Sequence, residues 1–182
     1  MAMTNVKKNR FYLTLFRKTM LPVLVVFGVG LLYIILMSII DHRSYIVPYV
    51  ILILALVKTT IVSRATLKQL SKLVEACYSI EHVLWVFGLL ITISVLSFAI
   101  DYTCLYQFEK TAFEGLLNCS ASYANNLYQF FYFSLITFST VGYGDITPSS
   151  DIAKFLVMLE IFLSFFIVVY ALANIKKIHI NE

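Results

Sequence analysis

The sequence predicts an all-α membrane protein. Each subunit would hold four transmembrane helices, with a short re-entrant helix and a glycine-bearing loop before the last. Three observations predict this. Hydrophobic residues make up 60% of the 182-residue chain and charged residues only 13%, with mean hydropathy +0.87. Soluble domains carry about 25% charged residues. Four apolar runs, at 21–40, 45–62, 83–100 and 151–174, are long enough to cross a hydrocarbon core of ~30 Å. Between the last two stands Thr140-Val141-Gly142-Tyr143-Gly144-Asp145, directly after an aromatic-rich stretch at 127–139.

Residues 1–20 are polar and basic, with Phe11, Tyr12, Leu15 and Phe16 at helical spacing. They read as a cytoplasmic tail or as an interfacial helix on an anionic leaflet. The run 21–40 holds no charge and no cleavage site follows it, so it reads as an uncleaved first span. Gly28 and Gly30 suit a close helix contact. Asp41-His42-Arg43 makes a polar turn. Pro48 falls in the first turn of the second span, where proline is tolerated. Residues 21–62 then form a two-span hairpin. Lys58 is placed to snorkel to the inner interface. Without regularly spaced arginines this is no voltage-sensor helix.

Residues 63–82 form a basic amphipathic linker. Arg64, Lys68 and Lys72 recur every four residues, on one face of a helix. The expected place is the inner membrane surface, beside anionic lipids. Residues 83–100 are the third span, with Trp85 near one interface and Tyr102 and Tyr106 near the other, as an aromatic belt would set them. An outer turret covers 101–126 and includes the Asn118-Cys119-Ser120 sequon. The fourth span ends at Lys176 and Lys177. The tail, 178–182, is short, and no nucleotide-binding or calcium-sensing domain is expected.

Basic residues orient the spans. Lys7, Lys8, Arg10, Arg17, Lys18, Lys58, Arg64, Lys68, Lys72, Lys176 and Lys177 share one side, and Arg43, Lys110 and Lys154 the other. The positive side faces the cytoplasm, which puts both termini inside a multi-pass protein of the cell membrane. The net charge of +4 is thus scattered between spans, a poor fit to nucleic-acid binding.

The loop carries the chemistry. Successive backbone carbonyls that point to one axis can replace the hydration shell of an ion. L-residues resist that geometry because they avoid positive φ; glycines at alternate positions relieve it. Gly142 and Gly144 have that spacing. Thr140, Val141, Gly142 and Tyr143 then offer carbonyls, and the Thr140 hydroxyl one more ring.

Thr140 to Asp145 matches the potassium-channel signature letter for letter. Residues 132–139 resemble that family's pore helix. The likeness covers 83–177 in the order outer helix, pore helix, filter, inner helix, so the chain resembles a pore domain with two extra leading spans. The resemblance implies passive, selective conduction of K⁺ ions. A ring of carbonyls needs four walls and the chain has one motif, which predicts a homotetramer. The pore helix would aim the partial negative charge of its C-terminus at the ion cavity.

In the resembling channels an aromatic residue nine positions before the signature valine bonds the signature aspartate. Here these are Tyr132 and Asp145, with Gly144 beside them as filter support. Some bacterial relatives have an acidic residue where this chain has Ile136. By the same resemblance Ser164 takes the hinge position where many relatives have glycine. Glu160 falls roughly 14 Å into the last span at ~1.5 Å per residue, and an ionisable group at that depth is a functional candidate. It either tunes the filter's support or the cavity's charge, or packs as a protonated or hydrogen-bonded carboxyl against the pore helix. Asp41, Asp101, Glu109, Glu114, Asp145 and Asp151 would give the outer mouth a negative field.

Cys77 stands alone in the linker. Cys104 and Cys119 fall in or beside the turret, either bridged, as an oxidising exterior permits, or as two free thiols. His42, His82 and His179 are incidental or proton-sensing. No catalytic cluster or cofactor motif appears, so an enzyme is not expected. The competing readings are a non-selective cation channel and a non-conducting membrane sensor or scaffold on a channel-like fold.

Overall fold

The computed structural model describes residues 24–33, 35, 46–75, 80–116 and 122–179. Segment 1–20, the Asp41-His42-Arg43 turn, the sequon with Cys119, and the side chains of Lys68, Lys72, Cys77, His82, Trp85 and His179 lie outside the described residues.

Among the described residues, five helices and one small ribbon make the fold. Helix α1 covers Leu24–Tyr33 within the first apolar run. Helix α2 is Val47–Glu75, α3 is Ile80–Phe108, α4 is Tyr123–Phe138 and α5 is Asp151–His179. Strands β1 (Phe113–Glu114) and β2 (Thr147–Pro148) pair antiparallel. Among the described residues, α2, α3 and α5 are long and apolar enough to cross a membrane.

The spans are longer as helices than as hydrophobic runs. Helix α2 continues without a break from the second span into the basic segment, so the boundary at 62/63 falls inside one rod of 29 residues. It measures roughly 44 Å at ~1.5 Å per residue. Nothing in 63–75 forbids this: there is no proline and no glycine. Helix α3 likewise carries on through Asp101 to Phe108. The turret therefore starts later than residue 101. Apolar length marks where lipid ends, whereas a helix ends where its backbone finds other partners.

Helix α3 is the central element. Its membrane segment, Phe87–Phe108, is 72% buried, against 28% for that of α2 and 33% for that of α5. One face of α3 meets α1 and α2 through a core that includes Val26, Tyr33, Ile51, Ile93 and Ile100. A Cβ on Gly30 would sit 3.7 Å from the Ile100 side chain, ordinary van der Waals contact. The other face meets α4 and α5 through Phe98, Tyr102, Phe130, Phe133 and Leu156.

The turret is tied down by backbone pairing. Phe113 lies opposite Pro148 and Glu114 opposite Thr147. Ala112 accepts from the Ser149 and Ser150 amides at 2.8 and 3.3 Å. This ribbon joins the loop before α4 to the segment after the signature, and so brackets Thr140–Asp145 from behind.

Candidate functional site

The signature loop is positioned by α4. At the N-terminus Ser122 is extended (φ −94°, ψ 123°) and its side chain makes no cap bond. Its carbonyl accepts from the Asn125 and Asn126 amides at 3.1 and 3.2 Å. Phe130, Phe133, Ser134 and Thr137, three or four residues apart, form the buried face. The helix closes with Ser139 donating to the Leu135 carbonyl at 3.0 Å.

The chain then turns left-handed at Thr140, where φ is 60°. Gly142 (φ 54°) and Gly144 (φ 77°) repeat the turn, with one residue between each pair. Sequence reasoning assigned that conformation to the two glycines; Thr140 is a third. A β-branched residue rarely accepts positive φ. Such strain, of order 1–3 kcal/mol, clusters at functional sites. The amides of the loop point back to α4: Thr140 N–H donates to Thr137 (3.0 Å), and Val141 and Gly142 N–H both donate to Ile136 (2.9 and 3.3 Å). One helix-terminal carbonyl thus holds two consecutive residues of the loop.

All residues from Ser139 to Asp145 are exposed. Val141 is 51% and Tyr143 72% accessible, in a chain whose neighbouring Ile136, Phe138 and Ile146 are buried. The loop is presented at the surface of the chain and is no part of its core. Behind it, Tyr132 is hydrogen-bonded to Asp145, which holds the phenol proton more firmly than usual.

Glu160 sits on the other side of α4. It is fully buried. Its carboxyl accepts from Tyr102 Oη on α3 at 2.6 Å and from Ser134 Oγ on α4. Three helices thus meet at one carboxyl. Ser134 Oγ also lies 2.9 Å from the Val95 carbonyl. Ser164 shares the buried face of α5, and its hydroxyl donates to Ile161 of its own helix at 2.8 Å.

Tyr102 was expected at the membrane interface with Tyr106. Both are buried instead. The Tyr102 ring makes edge contacts with Phe113 and Phe133, at centroid distances of 5.5 and 5.3 Å. Tyr106 stacks obliquely on Phe130 at 5.6 Å. The rings fill the junction of α3, α4 and β1, and buried aromatic pairs favour this tilted packing. Burial also demands a partner for the Tyr102 hydroxyl, and Glu160 is that partner. Cys104 is likewise inside α3, a buried free thiol, and not on an outer loop.

Two further expectations need correction. Lys58 does not snorkel. Its side chain is 1% exposed and Nζ lies 2.6 Å from Asp101 Oδ2 and 2.9 Å from the Ser97 carbonyl. Asp101 is not a mouth residue: it is fully buried, and Tyr33 Oη donates to its Oδ1 at 2.9 Å. A charge in a low-dielectric interior must be paired, and these two pair with each other. Asp101 therefore adds nothing to an outer negative field, and Lys58 carries no topological information.

Gly115 was not anticipated. Its φ is 86°, and a Cβ there would lie 1.7 Å from the Asp145 carbonyl oxygen. The turret backbone passes that close to the end of the loop. A lone glycine in the turret gives no such signal by itself; the contact spans thirty residues of chain.

The apolar helices and the left-handed loop between α4 and α5 mark a membrane protein of the ion-channel class. A family model described as "Ion channel" (Ion_trans_2) matches residues 89–180, just over half of the chain, and the chain belongs to that family. It is a multi-pass membrane protein. Among curated relatives, it is 37% identical over 75 residues to Two-pore potassium channel 4 of Arabidopsis thaliana, covering 41% of this chain and 24% of that one. It is 46% identical over 37 residues to the Hyperpolarization-activated voltage-gated potassium channel of Methanocaldococcus jannaschii, covering 20% of this chain and 18% of that one. It is also 46% identical over 41 residues to Potassium channel K2 of Plasmodium berghei, covering 22% of this chain and 3% of that one. The chain spans at most about a quarter of the length of these relatives. No solved structure matches it.

Proposed function

We propose that four copies of this chain assemble into a potassium-selective channel of the cell membrane, with both termini cytoplasmic. Residues 83–177 carry the pore and 21–62 flank it. One observation carries the reading. The loop Thr140–Asp145 is exposed, left-handed at alternate residues, and bonded through its amides to the end of α4. The Thr140, Val141 and Gly142 amides, used on the α4 side, leave the carbonyls of these residues for the other, and the Tyr143 carbonyl would extend the row. Four such strands would replace the water around K⁺ with backbone oxygens. The Thr140 hydroxyl would add a ring at the inner end. The end of α4 brings a partial negative charge toward the entering cation. The relatives named as potassium channels add support, over the part they share.

Support for the strand comes from three directions. Ile136 holds its amides, Tyr132 holds Asp145, and Ser134 links α4 to Glu160. Glu160 is a brace in this reading. Its burial and its two hydroxyl donors leave no open path to a water-filled cavity charge. Ser164 lies one turn further along α5, at the position a hinge would occupy.

Purified protein in liposomes tests the reading. With a K⁺ gradient, flux should appear and an equal Na⁺ gradient should give far less. Equal Na⁺ and K⁺ flux would make it a non-selective cation channel. No flux, from protein that cross-links as a tetramer, would make it a sensor or scaffold. A protein that stays monomeric in native mass spectra would remove the pore altogether.

A further inference from the structure

The loop Thr140–Asp145 is held at both ends. At its start α4 holds it: the Thr137 and Ile136 carbonyls accept from the Thr140, Val141 and Gly142 amides. At its far end Tyr132 of α4 bonds the Asp145 side chain, but the backbone there meets the turret. Gly115 packs against the Asp145 carbonyl so closely that no Cβ would fit. Glu114 pairs with Thr147, two residues further on. The same strap reaches α5. The Ala112 carbonyl accepts from the Ser150 amide at 3.3 Å, and Ser150 Oγ accepts from the Ala153 amide at 3.3 Å, in the first turn of α5.

Two strands of two residues each do not hold on their own. Their anchor is Phe113. Along β1 Phe113 is buried and Glu114 exposed. The Phe113 ring lies edge-on to Phe130 and Phe133 of α4, at centroid distances of 4.8 and 5.8 Å, and to Tyr102 of α3 at 5.5 Å. Phe133 stands one turn before Ile136, whose carbonyl holds the start of the loop. One ring thus touches the helix that fixes the start of the loop, and its own strand meets the end. Interiors are close-packed and transmit displacement. A smaller side chain at 113 frees the strap to shift against α4, and the Asp145 backbone shifts with it.

We propose that Phe113 is a positioning residue for the signature loop. It sets the separation between the end of α4, which holds Thr140 to Gly142, and the strap, which meets Asp145. That separation sets the spacing of the carbonyls between them. Where such carbonyls replace the hydration shell of an ion, their spacing decides how well each cation is met. This last step rests on the proposed channel; the placing of the loop by Phe113 does not. A residue that merely fills the core would lower stability and leave the loop where it is.

The test compares Phe113→Ala with Phe98→Ala in the full-length protein. Phe98 is also buried and also packs on Tyr102, at 6.1 Å, but it lies on α3 and is no part of the strap. Both truncations open a cavity and lower the thermal midpoint. Hydrogen exchange in lipid nanodiscs separates them. Phe113→Ala should speed amide exchange across 143–150 while 136–142 keeps the protection of the parent. Phe98→Ala should leave 143–150 as it is. Phe113→Met should bring exchange back toward the parent, since methionine fills irregular gaps and packs on aromatic rings. In liposomes Phe113→Ala should lower the K⁺ over Na⁺ flux ratio on the order of tenfold, as misplacement does at sites that work by placement, and Phe98→Ala should not. Unchanged exchange across 143–150 in Phe113→Ala would overturn the proposal. So would an equal rise in Phe98→Ala, or, in a conducting parent, an unchanged flux ratio. If Phe113→Ala does not fold, Phe113→Leu is read in the same way. A parent that passes no K⁺ would remove the channel reading, and exchange alone would still decide whether Phe113 places the loop.

Discussion

Lys58 and Asp101 meet at 2.6 Å with both side chains essentially closed to solvent. They belong to different helices, α2 and α3, and Tyr33 from α1 completes the group at 2.9 Å. The neighbour of Asp101 in sequence is Tyr102, which faces the opposite way, to Glu160. Two consecutive residues of α3 thus anchor two buried polar groups, one toward α1 and α2 and one toward α4 and α5. Removing one member of a buried ion pair leaves the other uncompensated, at about 3–5 kcal/mol, whereas replacing both by apolar residues is often neutral. Lys58→Met should lower the thermal midpoint in detergent, on the order of 10 °C. Lys58→Met with Asp101→Leu should recover most of that loss. A double variant no more stable than the single one would show that the pair does not act as a unit.

The parts legible in the sequence are those encoded locally. The signature is six adjacent letters, and the spans are runs of apolar residues. The signature lies in the exposed loop between α4 and α5, and the expected second, third and fourth spans fall on α2, α3 and α5, though α2 and α3 run past the ends of their apolar runs. What escaped is encoded between distant residues. Lys58 and Asp101 are 43 positions apart, so each looked like an end-of-span charge seeking water. The missed signal was their opposite sign in adjacent spans. Tyr102 and Tyr106 resembled a belt because tyrosine at a span's end is ambiguous: its hydroxyl wants either water or a buried acceptor, and here Glu160 supplies one. Glu160 itself was recognisable from its depth alone. Its partners were not.

Gly115 is the sharpest sequence constraint outside the signature. Alanine there would need φ near 86° and would push its Cβ into the Asp145 carbonyl. The positive φ alone disfavours alanine. The clash must move either β1 or the end of the signature loop, and backbone gives way less easily than a side chain. Gly115→Ala should therefore disturb ion flux or its K⁺ over Na⁺ preference, while circular dichroism shows the helices intact. Glu114→Ala is the control. Glu114 is exposed, and its loss should leave flux unchanged. Identical flux in both variants would mean that the contact is dispensable.

Tyr132 is hydrogen-bonded to Asp145, and in the proposed channel this bond would steady the end of the loop. Tyr132→Phe removes the donor and keeps the ring. Asp145→Asn keeps an acceptor and removes the charge. If the bond is what steadies the loop, the phenylalanine variant should change inactivation or selectivity more than the asparagine variant does. Sustained-current recordings in a planar bilayer make the comparison, and currents unchanged in both variants would take the role away from this pair.

Glu160 separates two readings of a buried carboxyl. As a source of charge it would matter through its ionisation. As a brace it matters through the two hydroxyls it accepts from, Tyr102 and Ser134. Glutamine tells these apart because the site can accommodate it. Its carbonyl oxygen can accept from Tyr102, and its amide can donate to Ser134 Oγ. Ser134 then turns its own proton to the Val95 carbonyl, already at 2.9 Å. All three polar groups stay satisfied. Leucine offers no partner to either hydroxyl; Ser134 keeps the Val95 carbonyl, but the Tyr102 hydroxyl is left buried without an acceptor, a loss of about 1–3 kcal/mol. Glu160→Gln should then conduct within about twofold of the parent, since no net interaction is lost. Glu160→Leu should lower the thermal midpoint and, by freeing α4 from α5, loosen K⁺ over Na⁺ preference. Ser134→Ala should fall between them, losing one of the two bonds. A large drop in conductance with full stability in Glu160→Gln would reverse the assignment, and the carboxyl would act on the ion by its charge.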